Sequence, residues 1–186
     1  MSPKPGARAL GIAESVRGER STLAGAVVRA DGIVDGATFG TCTVGGTDAT
    51  EAVVDLVDAL DRADVRYLLV GAIAPAWYNL LDLGSIHEAT ALPTIAVTFE
   101  ASDGLEEGLR EAFSGEALSD RLETYRSLPP RRALRVNEET IYVRSVGLDA
   151  EEAARVVRTF TPTGGRPEPV RVARLLARAG ADYREE

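Results

Sequence analysis

The chain has 186 residues, 45% of them hydrophobic, and a formal charge of −8 from 29 acidic and 21 basic side chains. That size and apolar content suit one domain, residues 1–186, with a sizeable core. No run of about 18 apolar residues offers a membrane span. Met1-Ser-Pro-Lys-Pro-Gly lacks an apolar signal core, so a cytoplasmic protein is expected. The single cysteine, Cys42, excludes an intrachain disulfide and a zinc site built from several cysteines, and reads as a small packed side chain. Lys4 is the only lysine. An acidic, lysine-poor composition is that of a protein kept soluble in strong salt, and it requires any phosphate contact to be local.

In chain order, Arg8 to Arg29 reads as an apolar strand, a polar Arg17–Arg20 turn and an antiparallel partner strand. Asp31-Gly32 between the runs 22–29 and 33–44 signals a second hairpin, giving a three-strand antiparallel meander. Val44-Gly-Gly-Thr-Asp then opens a helix from about Ala49 to Ala63, with Thr47 or Asp48 as its cap and Glu51 in capping-box position. Val53, Val54, Leu56, Val57 and Leu60 form its apolar stripe. The runs Arg66–Ile73 and Leu92–Phe99 are apolar enough for strands buried on both faces. Between them lie a loop with Pro75, Trp77, Tyr78 and Asn79 and a helical stretch around Leu80–Ala89. Helices are expected over about 102–113 and 117–128, a hairpin over 132–146, and a helix over 149–159 capped near Asp149. A last helix runs from about Pro167 to Ala179, where Gly180 stops it. Three antiparallel strands followed by alternating strands and helices make an α/β domain with a mixed sheet, the order also of ribonuclease H-like folds.

Four acids stand at places where chemistry is plausible: Glu14 at a strand end among apolar neighbours, Asp48 in a glycine-bearing loop, Asp82 after the aromatic loop, and Glu168 at the start of the last helix. Gathered at one sheet edge, such carboxylates are hard oxygen ligands for Mg²⁺ or Mn²⁺, which orients water and stabilises charge on a transferred phosphoryl group. Taken singly, Asp48 reads as a helix cap, Asp82 as a cap or an arginine partner, and Glu168 as an acid favoured at a helix start. Trp77 and Tyr78 can stack on an extruded base, with Asn79 on a base edge or the backbone, or else plug the core. Thr163-Gly-Gly-Arg-Pro-Glu-Pro-Val-Arg joins a glycine pair, Arg166 and Arg171 to a helix N-terminus, a combination that favours phosphate. Arg131, Arg132 and Arg135 read as a solvated strand face or a weak nucleic-acid track. His87, the only histidine, reads as a surface helix residue. No nucleophile elbow, P-loop or dinucleotide fingerprint is present.

Leu10-Gly-Ile-Ala-Glu-Ser, Gly46-Thr-Asp-Ala-Thr, Tyr78-Asn-Leu-Leu-Asp-Leu and Arg166-Pro-Glu-Pro-Val-Arg-Val-Ala resemble the archaeal endonuclease V-like family called endonuclease dU, over nearly the whole chain. The resemblance implies a ribonuclease H-like fold and metal-dependent nicking of DNA containing deaminated bases, uracil above all. The chain departs from the family pattern at three places. One acid, Glu14, stands after Ala13 where an acidic pair is common; Val70-Gly71-Ala72 replaces a strand-end aspartate of endonuclease V; and Trp77 stands for a glycine. The expected catalytic residues are Glu14, Asp48 and Glu168, with Glu14 and Asp48 holding Mg²⁺ or Mn²⁺. Tyr78 and Asn79 are expected at the displaced base, Arg166 and Arg171 at phosphates. Two other functions fit the same residues: a non-catalytic nucleic-acid- or protein-binding homologue, and a binder of a small anion at Gly164-Gly165-Arg166.

Overall fold

The structure is a computed structural model and describes residues 1–185. Strands β1 (Arg8–Arg17), β2 (Arg20–Arg29) and β3 (Val34–Thr43) form the meander. β1 pairs antiparallel with β2 from Arg8↔Arg29 to Arg17↔Arg20. Gly18, at φ 58°, supplies the left-handed backbone that so tight a turn needs. On its other side β1 runs parallel to β4 (Val65–Val70), and β4 parallel to β5 (Thr94–Thr98). The hairpin of β6 (Arg132–Val136) and β7 (Glu139–Val146) completes the seven-stranded order β3-β2-β1-β4-β5-β7-β6, with β7 antiparallel to β5. This is the mixed α/β sheet expected, meander included.

Alternation along the strands divides the core between two faces. Leu10 and Ile12 of β1 join Leu23 and Val27 of β2 beneath α1 (Ala49–Leu60) and α3 (Leu83–Thr90), where Val53, Leu56, Leu83 and Ile86 are buried. The opposite face carries α6 (Ala150–Thr159) and α7 (Glu168–Glu185), packed by Val156, Phe160, Val170 and Ala173. A side cluster around Leu80, Leu109 and Leu122 joins the turn α2 (Pro75–Tyr78) to α4 (Glu106–Ala112) and α5 (Gly115–Ser127). Each fully buried leucine contributes roughly 1.5–3 kcal/mol. Among the described residues no helix is long and apolar enough to cross a membrane.

The face under α7 is built of small residues, Ala9, Gly11, Ala13, Ala24 and Ala26, and α7 answers with buried Ala173, Ala177 and Ala181. Backbone therefore approaches backbone. A Cβ on Gly11 would lie 2.1 Å from the carbonyl carbon of Pro169. Gly180, expected to stop the last helix, lies within it, since α7 continues to Glu185. Its missing side chain makes room for the Phe39 ring, which a Cβ would meet at 2.9 Å. His87, expected on the surface, is half-buried, with Nδ1 2.7 Å from the Leu92 carbonyl oxygen and its ring against Gly147.

The close approach of α7 gives a direct expectation. Gly11→Ala forces α7 away from β1 and costs about 1–3 kcal/mol in urea unfolding. Gly6→Ala, where a Cβ meets nothing, stays within about 0.5 kcal/mol.

Candidate active site

Glu14 shares the face of Leu10 and Ile12 and lies near the end of β1, where the parallel neighbour β4 has just finished at Val70. A carboxylate there has to be satisfied. The Ala76 N–H donates to both of its oxygens, at 3.0 and 2.9 Å, and the Ser21 hydroxyl donates to one of them. Ala76 opens a run of three left-handed residues, with φ 49° at Ala76, 54° at Trp77 and 62° at Tyr78. Left-handed backbone costs roughly 1–2 kcal/mol for each residue with a side chain, so the turn must be held from outside. Glu14 holds its first amide, the Gly45 N–H donates to the Ala76 carbonyl at 2.7 Å, and Arg121 donates to the Tyr78 carbonyl at 3.2 Å.

Arg121 is a buried arginine that sequence reading missed. Its guanidinium also donates to the carbonyls of Ala117, Gly45 and Gly46 and lies 3.9 Å over the Phe113 ring. Burial without an ion-pair partner holds its pKa below the ordinary value. It sits on a helix of mostly polar residues, and nothing in that pattern separates it from the solvated arginines.

The same loops converge on Asp48 and Asn79. Asp48 does not cap α1 with its side chain, although it stands at the cap position. Its oxygens accept from the Thr43 N–H at 3.0 Å, the Thr43 hydroxyl at 2.8 Å and the Asn79 side-chain amide at 2.7 Å. Asn79 supplies the cap instead, its Oδ1 accepting from the Ala49 N–H at 2.9 Å. Burial alone would raise the Asp48 pKa, but the bonds from Thr43 and Asn79 together outweigh it and hold Asp48 below the usual carboxylate range. Cys42, fully buried beside both carboxylates, has its thiol pushed up to about 12, by burial first and then by Glu14 and Asp48.

Several expected roles change with this geometry. Asn79 is 0% exposed and committed to Asp48, Thr43 and Ala49, so it fixes the loops and presents nothing to a base. Tyr78 packs into the side cluster against Gly108 and Phe113. Trp77, 55% exposed, is the aromatic left facing solvent. Glu168 and Arg171 satisfy each other through two hydrogen bonds, at 2.7 and 2.5 Å, which removes both from the expected centre. Asp82 caps α3 through the Ser85 N–H. The glycine pair is no anion cradle: Glu139 lies against Gly164 and Gly165, and the Gly164 carbonyl accepts from Asn137. Arg131 donates to the carbonyls of Ser102 and Glu100 and covers the Tyr142 ring, while Arg132 and Arg135 are exposed.

Two of the expected site residues do share a cleft. Glu14 and Arg166 line a cavity of about 200 Å³ together with Ala13, Gly71, Ala72 and Arg174. Arg174 was not foreseen. Its place follows from the docking of α7 on Gly11, which carries the first turns of that helix over the ends of β1 and β4. The same docking explains Gly71, where a Cβ would strike Val170 at 2.7 Å. A side chain at the position that would bring a second strand-end acid thus has to displace Val170.

A divalent-ion centre needs several carboxylates with free lone pairs. Among the described residues no group of three or more His, Cys, Asp or Glu side chains is placed to hold a metal ion. Asp48 accepts from three donors in the protein and Glu168 is paired with Arg171, and Glu14 is the one carboxylate on the cavity. The residues present do not fit the Mg²⁺ or Mn²⁺ centre expected from the sequence.

The family model described as Endonuclease dU matches residues 5–180. The chain belongs to the endonuclease dU family. It is 35% identical over 178 residues to a UPF0215 protein of Pyrobaculum calidifontis, covering 94% of this chain and 97% of that one. Among solved structures it is similar to a protein of unknown function from Archaeoglobus fulgidus, at TM-score 0.83 and 25% identity, over 92% and 96% of the two chains. Human endonuclease V superposes at TM-score 0.67 and 17% identity over 96% and 86%. Endonuclease V of Ciona intestinalis, in complex with a DNA containing an inosine, does so at 0.63 and 14% over 95% and 86%. The fold is therefore that of endonuclease V, the ribonuclease H-like class.

Two expectations test the loop network. Asn79→Ala leaves the Ala49 N–H and Asp48 short of partners inside the protein and costs about 2–3 kcal/mol in urea unfolding. Because Asp48 is depressed in the folded state, its contribution is fully present above its unfolded pKa near 3.8 and is lost as pH falls through the lower folded value. Asp48→Asn is therefore less stable than the unaltered protein at neutral pH, and the gap narrows below pH 4.

Proposed function

We propose that this protein is a DNA repair endonuclease that engages DNA containing deaminated bases, uracil above all, and hydrolyses a phosphodiester beside the lesion. The observation that carries the reading is the meeting of Glu14, Arg166 and Arg174 around one cavity at the ends of β1 and β4, on an endonuclease V fold. The inosine-containing DNA held by the Ciona intestinalis enzyme supports the choice of a deaminated-base substrate.

Each group has a role that its surroundings permit. Arg166 and Arg174 face the phosphate and offset charge that builds on its oxygens as water attacks. Glu14, held still by Ala76 and Ser21, keeps lone pairs through which it orients the water and accepts its proton. Water oxygen bonds to phosphorus, the bond to the leaving sugar oxygen breaks, and that oxygen is protonated from solvent. Trp77 stands on the strained turn and offers its exposed ring to a displaced base. Asp48 and Asn79 act at one remove, by fixing the loops on which Glu14 and Trp77 depend. Because among the described residues no group of acids is placed to hold a divalent ion, no step is assigned to a bound ion.

A second reading is recognition of the same DNA without cleavage. The observation favouring it is that Asp48 and Glu168 are occupied by partners in the protein. A uracil-containing duplex assayed with Mg²⁺ or Mn²⁺ in the buffer decides between them. Nicking that falls about 100-fold or more in Glu14→Gln, with the variant still folded and still binding the DNA, is the expected result. Equal nicking by that variant would remove Glu14 from the chemistry. Binding that weakens with salt, with no nicking in either ion, would establish the second reading.

A further inference from the structure

Beside the Glu14 cavity, and sharing Gly71, Ala72, Arg166 and Arg174 with it, lies a second cavity of about 340 Å³ between the ends of β4, β5 and β7 and the first turns of α7. Its walls carry Arg131, Arg144, Arg166 and Arg174, with Phe99 and Tyr125 between them. So many guanidinium groups around one hollow, in a chain of formal charge −8, call for a physical reason.

Arg131 has one in the protein, because its donors go to the carbonyls of Ser102 and Glu100 and hold that wall. The others are largely unspent. Arg166 is half-buried, lies 4.0 Å over the Phe99 ring, and among the described residues has no hydrogen-bond or ion-pair partner. Arg174, which is exposed, has none either among the described residues. Arg144 donates to the Pro129 carbonyl at 2.7 Å and faces Tyr125, whose ring and hydroxyl favour its charged form. The Tyr125 hydroxyl accepts from the Leu105 N–H at 3.2 Å, leaving its own proton to donate. The carboxylate on this lining is Glu100, which is exposed. Desolvation, with repulsion from Arg174 and Arg178 added for Arg166, holds Arg144 and Arg166 below their ordinary pKa while they stay charged. Half-buried cations with open donors are expensive unless an anion completes them.

We propose that this cavity binds a phosphomonoester, the dianionic terminal phosphate of a nucleotide, between Arg144, Arg166, Arg174 and the Tyr125 hydroxyl. A backbone phosphodiester carries one negative charge, whereas a phosphomonoester carries about −1.5 to −2 at neutral pH and three acceptor oxygens, the better match to three guanidinium groups and a hydroxyl. The volume lies at the lower end of the range for small-molecule sites and suits one nucleotide. Phe99, with Arg166 already stacked on it, gives the sugar or base an apolar wall. The terminal phosphate has two sources, a free nucleotide or the phosphorylated end of a strand. The assignment does not rest on hydrolysis at Glu14.

Calorimetric titration of the full chain with dUMP, deoxyuridine and inorganic phosphate tests it, alongside single strands of one sequence ending in 5′-phosphate or 5′-hydroxyl. The phosphate-bearing member of at least one pair is expected to bind at least tenfold more tightly. Arg166→Gln and Arg144→Gln are each expected to erase that preference, while Arg110→Gln, which removes the same charge from an exposed Glu106 pair, preserves it. Because the Arg166 guanidinium has no hydrogen-bond or ion-pair partner among the described residues, its variant gives up only the stack on Phe99, keeps the fold, and remains informative if Arg144→Gln fails to fold. A preference for dUMP over deoxyuridine identifies free nucleotide as the source, and a preference confined to the strands identifies a strand end. Equal affinity within both pairs, or a preference that survives Arg166→Gln, overturns the proposal. Nicking of uracil-containing DNA is a separate readout, so loss of one result leaves the other standing.

Discussion

The hydrogen bonds from the Ala76 amide to Glu14 are the contact on which the site depends. They solve two problems together. An acid at the end of a central strand needs donors in place of the water it has lost, and a left-handed turn of three non-glycine residues needs an anchor against its own strain. Each supplies what the other lacks, so the turn stays where Trp77 can face solvent and Glu14 stays where it meets the cavity. Arg121 and Asn79 extend the anchoring outward: one ties the far end of the turn to the loop around Gly45, the other ties Asp48 to the start of α1. Loosening any of these releases strain into the same few residues.

That economy limits the chemistry. An acid that binds an amide and a hydroxyl has fewer lone pairs for a metal ion, and the same holds for Asp48, which accepts from three donors. The second strand end is crowded for a different reason, since a Cβ on Gly71 would meet the Val170 side chain of α7 at 2.7 Å, a looser approach than the backbone contact at Gly11. Tight docking of α7 and a multi-carboxylate centre compete for one volume. In this chain the helix occupies it, and what the helix brings is arginine. The rim is consequently richer in groups that bind phosphate than in groups that activate water.

The fold was readable because it rests on short-range signals. Period-two alternation, the Gly18 and Asp31-Gly32 turns, and the stripe of Val53, Leu56 and Leu60 each announce an element within a few residues. Glu14 stood out for a similar reason, as an acid in an apolar run. The rest of the site is long-range. Asn79 reads as a loop amide for a displaced base until its cap on Ala49, 30 positions away, is known. Arg121 reaches Gly45 across 76 positions, and only the fold gives it carbonyl partners. Gly180 misled because a helical glycine looks the same whether it ends the helix or admits a neighbouring ring. The pairing of Glu168 with Arg171 lies at helical spacing and could have been read from the sequence, as a reason to withdraw both from catalysis.

The charge balance of the chain adds a last constraint. An acidic, lysine-poor surface repels polyanions at long range, and strong salt shortens every exposed attraction to a few ångströms. Under those conditions a row of surface arginines loses phosphate affinity steeply with ionic strength. A guanidinium recessed beside an aromatic ring is screened less, because solvent ions reach it less easily. Arg144 and Arg166 are placed in this way, whereas Arg132 and Arg135 lie open on the β6 edge. Recessed arginine in an otherwise repulsive surface favours anion binding in one hollow over the open surface, and such binding would depend less on salt.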